Sequence, residues 1–193
     1  FDAPAAQLTG WASVPSLSAA VDLLGLAQRQ LGAGLTGFEV MGQFALSLVD
    51  KHFPQLRVPA WADTPYAVLL EMSDTESAEH AQAQLEQLLG QAIEAGCASD
   101  AIVASNLAQA QGFWHVRESI SMAQAEEGLN IKHDISLPIS RIPAFCAETD
   151  ERLAHTFAGV RIVNFGHLGD GNLHYNVQAP LGMDPAVFLN SQV

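Results

Sequence analysis

Val163–Gln178, VNFGHLGDGNLHYNVQ, is the stretch on which the fold turns. An apolar run ends at Asn164, Phe165 and Gly166. Gly169, Asp170 and Gly171 then supply turn chemistry, and Leu173, Tyr175 and Val177 alternate with His174, Asn176 and Gln178. Strand, tight turn, strand is the reading these residues dictate. A period of two puts Leu173, Tyr175 and Val177 on a core face and His174, Asn176 and Gln178 on a chemical face. His167 closes the first strand and His174 opens the second, so the turn can bring the two imidazoles together as half of a zinc or similar transition-metal site. Asp170 can brace the turn or a ring nitrogen. The plain alternative is an ordinary hairpin with two polar surface histidines.

Outward from the hairpin, helical and strand periods alternate along the chain. Strands are expected at Leu8–Val14, Leu35–Met41, Tyr66–Met72, Asp100–Ala104, Ile131–Leu137 and Val160–Gly166, with helices over Leu17–Leu31, Phe44–His52, Thr75–Ala95, Ser105 or Asn106 to Glu127, Ser140–Phe157 and from Asp184 to Val193. Pro54, Pro59 and Pro65 mark a connecting loop. The order predicts an α+β fold of ferredoxin-like split β-α-β units, with an antiparallel sheet and helices on one face. Two such units join or share their sheets.

Composition narrows the partners. A formal charge of −13 with only eight Lys and Arg excludes nucleic acid and anionic membrane as partners. An apolar fraction of 49% excludes disorder, and no apolar run approaches the roughly 20 residues of a membrane span. Cys97 and Cys146 fit neither a disulfide framework nor a cysteine metal site, and a cytoplasmic location is expected. The chain opens on Phe1 rather than Met and lacks a signal-peptide pattern, which reads as a cut-out or processed piece.

Among few cations, Arg117 and Lys132 stand out. Arg117 and Ser121 are one helical turn apart beside Phe113 and Trp114, offering a rigid fork and a hydroxyl to a carboxylate; a salt bridge from Arg117 to Glu118 or Glu39 is the plain alternative. In IKHDISL, Lys132 shares a strand face with Asp134 and Ser136 and is either paired with Asp134 or an anion ligand. Glu39 is a ligand or base only if something titratable lies near it, and its sequence neighbours are apolar.

GHLGDGNLHYNV, together with Arg117–Ile142 (RESISMAQAEEGLNIKHDISLPISRI), FEVM at Phe38–Met41 and VLLEM at Val68–Met72, resembles the C-terminal domain of FAD-linked oxidases, the group containing D-2-hydroxyglutarate dehydrogenase, D-lactate dehydrogenase and the glycolate oxidase flavoprotein subunit. The resemblance implies an oxidoreductase that passes a hydride from a D-2-hydroxy acid, D-2-hydroxyglutarate first, to FAD. It further implies that Arg117, Ser121, Lys132 and Asn176 bind substrate and that His167 and His174 ligate a divalent metal. Zinc is the first choice, and manganese, iron or cobalt suit the same ligands. Ser121 stands where threonine is expected. By the same resemblance, a glutamate ligand and the histidine general base belong to a Glu-His-Gly motif beyond Val193, and an FAD domain precedes Phe1. Residues 1–193 are then the substrate-side cap, inactive alone, whose partners are that FAD domain, a small anionic 2-hydroxy acid and a second copy in a homodimer.

Two other classes compete. One is a non-catalytic ferredoxin-like interaction module with structural histidines. The other is a flavin-independent metallohydrolase, which needs Asp134 or Asp170 as a third ligand.

Overall fold

A computed structural model describes residues 5–191. The strands are β1 (Ala6–Val14), β2 (Leu35–Gly42), β3 (Tyr66–Asp74), β4 (Asp100–Val103), β5 (Asn130–Ile131), β6 (Asp134–Ser136), β7 (Arg161–His167) and β8 (Asn172–Gln178). The helices are α1 (Leu17–Leu31), α2 (Gln43–His52), α3 (Ala78–Glu94), α4 (Leu107–Glu127), α5 (Ile142–Thr156) and α6 (Pro185–Asn190). Gln192 and Val193, the expected end of the last helix, lie outside the described residues, as do Phe1–Pro4.

One antiparallel sheet runs β4-β1-β3-β2-β7-β8-β5, with β6 also paired to β8. The first ferredoxin-like half is β4-β1-β3-β2, and its junction with the second is the β2–β7 pairing, Glu39 to His167, Val40 to Gly166 and Met41 to Phe165. The expected α+β class, antiparallel sheet and joined halves are present. Side-chain alternation explains the layers. Ala12, Phe38, Val40, Leu70, Leu173, Tyr175 and Val177 pack under α1, α3 and α5, while Trp11, Met41, Leu69, Val163 and Phe165 pack under α2 and α4. The helices α1, α3 and α5 occupy the one face that was expected; α2 and α4 add a layer on the other, because the strands carry large apolar residues on both faces. Each such fully buried side chain contributes about 1.5–3 kcal/mol relative to exposure.

Helix starts follow capping chemistry. Ser16, Ser77 and Asn106 accept from the backbone N–H of Ala19, His80 and Gln109 at 3.0, 3.1 and 2.9 Å. The capping Ser77 moves the start of α3 from the expected Thr75 to Ala78. The expected strand Ile131–Leu137 is interrupted. Register is kept on either side, Ile131 opposite Val177 and Asp134 opposite His174, but His133 N–H bonds the Asn176 side chain at 3.0 Å instead of the ladder. In the β7–β8 turn, Gly171 has φ 72°, and a Cβ there would lie 2.3 Å from Leu137 O. Only glycine fits.

Candidate active site

Glu39 anchors the site. It sits in β2 between Phe38 and Val40, which face the opposite layer, so its carboxylate points toward α4 and is 3% exposed. Its Oε2 accepts from Arg117 Nε at 2.7 Å, and its Oε1 is hydrogen-bonded to His167 Nδ1 across the β2–β7 junction. The Arg117 guanidinium carbon lies 5.0 Å from the Phe165 ring centre, a cation–π contact. A buried carboxylate demands such partners.

His174 lies directly opposite Phe165, their rings 4.7 Å apart, and its Nδ1 is hydrogen-bonded to Asp134 Oδ1 at 2.5 Å. Asp134 in turn is opposite His174 across the β6–β8 pair. Each histidine therefore has a carboxylate on Nδ1, which fixes the ring and leaves Nε2 for a metal or substrate. Both rings line one cavity of about 220 Å³, shared with Asp134, Ser136 and Asn172. This donor set fits two ligands of a metal site. Among the described residues no group of three or more His, Cys, Asp and Glu is arranged to hold a metal. Asp134 is spent on His174, so the third ligand that a metallohydrolase needs is not supplied by it.

The remaining expected residues surround this centre unevenly. On α4, Arg117, Ser121 and Gln124 share a face at i, i+4 and i+7. The Nη groups of Arg117 have no hydrogen-bond partner among the described residues, so only the Nε–H of its five N–H donors is engaged. Ser121 and Lys132 are exposed and unpaired among the described residues, Lys132 in the gap between β5 and β6. Asn176 is 4% exposed, and its Oδ1 takes the His133 N–H while its Nδ2 donates to Gln124 Oε1 at 2.9 Å. One amide proton of Asn176 remains. The structure thus brings Arg117, His167 and His174 together through Glu39 and Phe165. Ser121 and Lys132 form no hydrogen bond or ion pair with them among the described residues.

Two polar clusters escaped the sequence reading. Glu127 accepts from Lys51 at 2.6 Å, His52 at 2.9 Å and Arg161 at 2.5 Å, joining α2, α4 and β7. Burial pushes its carboxyl up, but the hydrogen bonds from Lys51, His52 and Arg161 outweigh this and hold it at about 2. On the opposite face Tyr175 donates its hydroxyl to Asp150. Burial raises the Asp150 carboxyl, with the Tyr175 bond opposing, and burial pushes the Cys146 thiol up to about 11, an unreactive state.

Among the described residues no helix is long and apolar enough to cross a membrane. The fold is that of alkyldihydroxyacetonephosphate synthase, matched over 100% of this chain and 38% of that one with a TM-score of 0.60 at 8% identity. The chain is 33% identical over 157 residues to a protein of Arabidopsis thaliana named D-2-hydroxyglutarate dehydrogenase, mitochondrial, covering 81% of this chain and 27% of the relative. It is 34% identical over 177 residues to D-2-hydroxyglutarate dehydrogenase of Xanthomonas citri pv. viticola, covering 92% of this chain and 36% of the relative. The mitochondrial name of the plant relative overturns the expected cytoplasmic location, and a bacterial relative stands beside it. Free cysteines report redox conditions, which more than one compartment shares. Residues 3–186 match the family described as FAD linked oxidases, C-terminal domain. With that match spanning the sheet, the β2–β7 junction and both histidine strands, this chain belongs to the FAD-linked oxidase C-terminal domain family.

Proposed function

We propose that this chain is the substrate-side domain of a flavin-dependent dehydrogenase that oxidises a D-2-hydroxy acid, with D-2-hydroxyglutarate as first substrate. The observation that carries this reading is the pair of carboxylate-backed imidazoles beside an arginine whose Nη groups are free among the described residues. His167 and His174 would hold a divalent metal, zinc first, through Nε2. The third ligand and the general base lie outside the described residues.

Arg117 is held in place by Glu39 and the Phe165 ring, and its free Nη groups meet a substrate carboxylate as a planar fork. Ser121 adds a hydroxyl donor one turn on, Asn176 its remaining amide proton, and Lys132 a second cation for a distal carboxylate. Together they orient C2 and exclude rotation, which is where positional catalysis gains most. A metal held by His167 and His174 would supply Lewis-acid polarisation of the substrate hydroxyl, and an FAD domain would supply the hydride acceptor.

The test uses the full-length protein and a panel of D-2-hydroxyglutarate, D-malate and D-lactate. The reading expects D-2-hydroxyglutarate to be preferred, and Lys132→Met to cost that preference about tenfold, equivalent to one charge-assisted hydrogen bond. Absence of turnover with all three acids, or full activity in His167→Ala and His174→Ala, overturns it.

A further inference from the structure

Three side-chain amides are buried side by side between α4 and β8, with Gln124 0% exposed, Gln178 1% and Asn176 4%. Burying amides is costly unless each group is bonded, and here they bond in series. Gln178 Nε2 donates to Gly128 O at 3.1 Å, Gln124 Nε2 to Gln178 Oε1 at 3.4 Å, Asn176 Nδ2 to Gln124 Oε1 at 2.9 Å, and Asn176 Oδ1 accepts from His133 N–H. The two ends settle every orientation between them. Gly128 O can only accept and His133 N–H can only donate, so no amide in the row can be reversed without opposing like groups.

We infer that Gln124 and Gln178 are positioning residues that set the spacing between Arg117 and Lys132 and thereby the length of dicarboxylate the site accepts. This inference rests on the substrate reading above. Gln124 stands two helical turns after Arg117 on α4, so the amide row is referenced to the helix that carries the guanidinium. At the other end, Asn176 takes the His133 N–H out of the sheet, His133 Nδ1 contacts Tyr175 O at 3.2 Å in its place, and the strand splits into β5 and β6 at Lys132–His133. The split is what holds Lys132 out of the ladder. Asn176, opposite Lys132 in register, is gripped by Gln124, and Gln124 by Gln178, so the amine-bearing segment and the guanidinium-bearing helix are fixed to one another by a directional chain. Apolar residues at 124 and 178 would fill the same space without transmitting any orientation.

The experiment compares full-length wild type, Gln124→Met, Gln178→Met and the double variant by amide hydrogen exchange over residues 129–137 and by kinetics on D-2-hydroxyglutarate and D-lactate. Each single variant is expected to speed His133 exchange about tenfold or more, which reports loss of its buried acceptor geometry. KM for D-2-hydroxyglutarate should rise about tenfold with kcat within about twofold, while D-lactate, lacking a distal carboxylate, changes by less than about threefold. The double variant should be no worse than the worse single, since both break one chain. Unchanged His133 exchange, additive effects, or equal losses on both acids overturn the inference. Gln178→Met, at the far end of the row, decides the matter by exchange even if Gln124→Met fails to accumulate. Exchange needs no turnover, so a wrong substrate leaves this readout intact and a wrong relay leaves the substrate panel intact.

Discussion

Glu39 and His167 are direct partners across the seam between the two halves of the sheet, and the Glu39 carboxylate holds the imidazole by Nδ1 while its other oxygen holds Arg117. One buried acid therefore serves both the proposed metal ligand and the proposed carboxylate fork. Replacing it by Ala strands Arg117 in a mostly buried setting. Glu39→Ala should lose on the order of 3 kcal/mol in chemical denaturation, and zinc affinity by calorimetry should fall about 10- to 100-fold.

Asp134 plays the matching part for His174 but on the surface, with its side chain 83% exposed. Asp134→Asn is expected to leave stability within about 0.5 kcal/mol and to weaken zinc binding about tenfold. Calorimetry and thermal melts on the same samples separate the two effects. Equal destabilisation by Asp134→Asn and Glu39→Ala would contradict the burial argument.

The imidazoles themselves give the sharpest contrast. His167→Ala and His174→Ala should each abolish zinc binding in the full-length protein, since each removes one of the two proposed histidine ligands. Isothermal titration detects this without any assay of turnover.

Glu127 governs acid stability. Its carboxyl is held at about 2 against an ordinary 4.5, so the unfolded chain takes up the proton first as pH falls. The stabilisation is complete above about pH 5 and is lost as pH drops toward 2. Denaturation midpoints between pH 6 and 3 should fall in the wild type, and Glu127→Gln should flatten its share of that slope while losing on the order of 2–3 kcal/mol at neutral pH.

Asp150 has the opposite sign. Its folded carboxyl is raised, so its contribution is present at low pH and declines as pH rises through that range. Asp150→Asn keeps an acceptor for the Tyr175 hydroxyl, and should raise neutral-pH stability by on the order of 0.5 kcal/mol in urea titrations.

Local signals carried most of the fold. β3 and α3 were legible because their apolar periods lie within the elements themselves, and the β7–β8 hairpin because Gly171 and the alternation of Leu173, Tyr175 and Val177 are adjacent in sequence. What failed to show depended on distant partners. The Arg117–Glu39 salt bridge was one of two pairings the sequence allowed, but the His167 partner did not show, because it lies 128 residues from Glu39. Ile131–Leu137 read as one strand because its period is unbroken, and the group that interrupts it is the side chain of Asn176, 43 residues from His133. The second helical layer was missed for a related reason. Strands with apolar residues on both faces announce two covers, but α2 and α4 declare their partner face only through contacts such as Phe113 with Trp11.

The seam between β2 and β7 has only three residue pairs, and Glu39–His167 is one of them. The site therefore takes Glu39 from the first half of the chain and Arg117, His167 and His174 from the second. Expressed as two separate polypeptides divided after β4, the second half should bind zinc about 10- to 100-fold more weakly until reassociation restores Glu39 to His167. Metal affinity at the proposed His167 ligand would thus work as a coincidence detector, reporting that the sheet has closed.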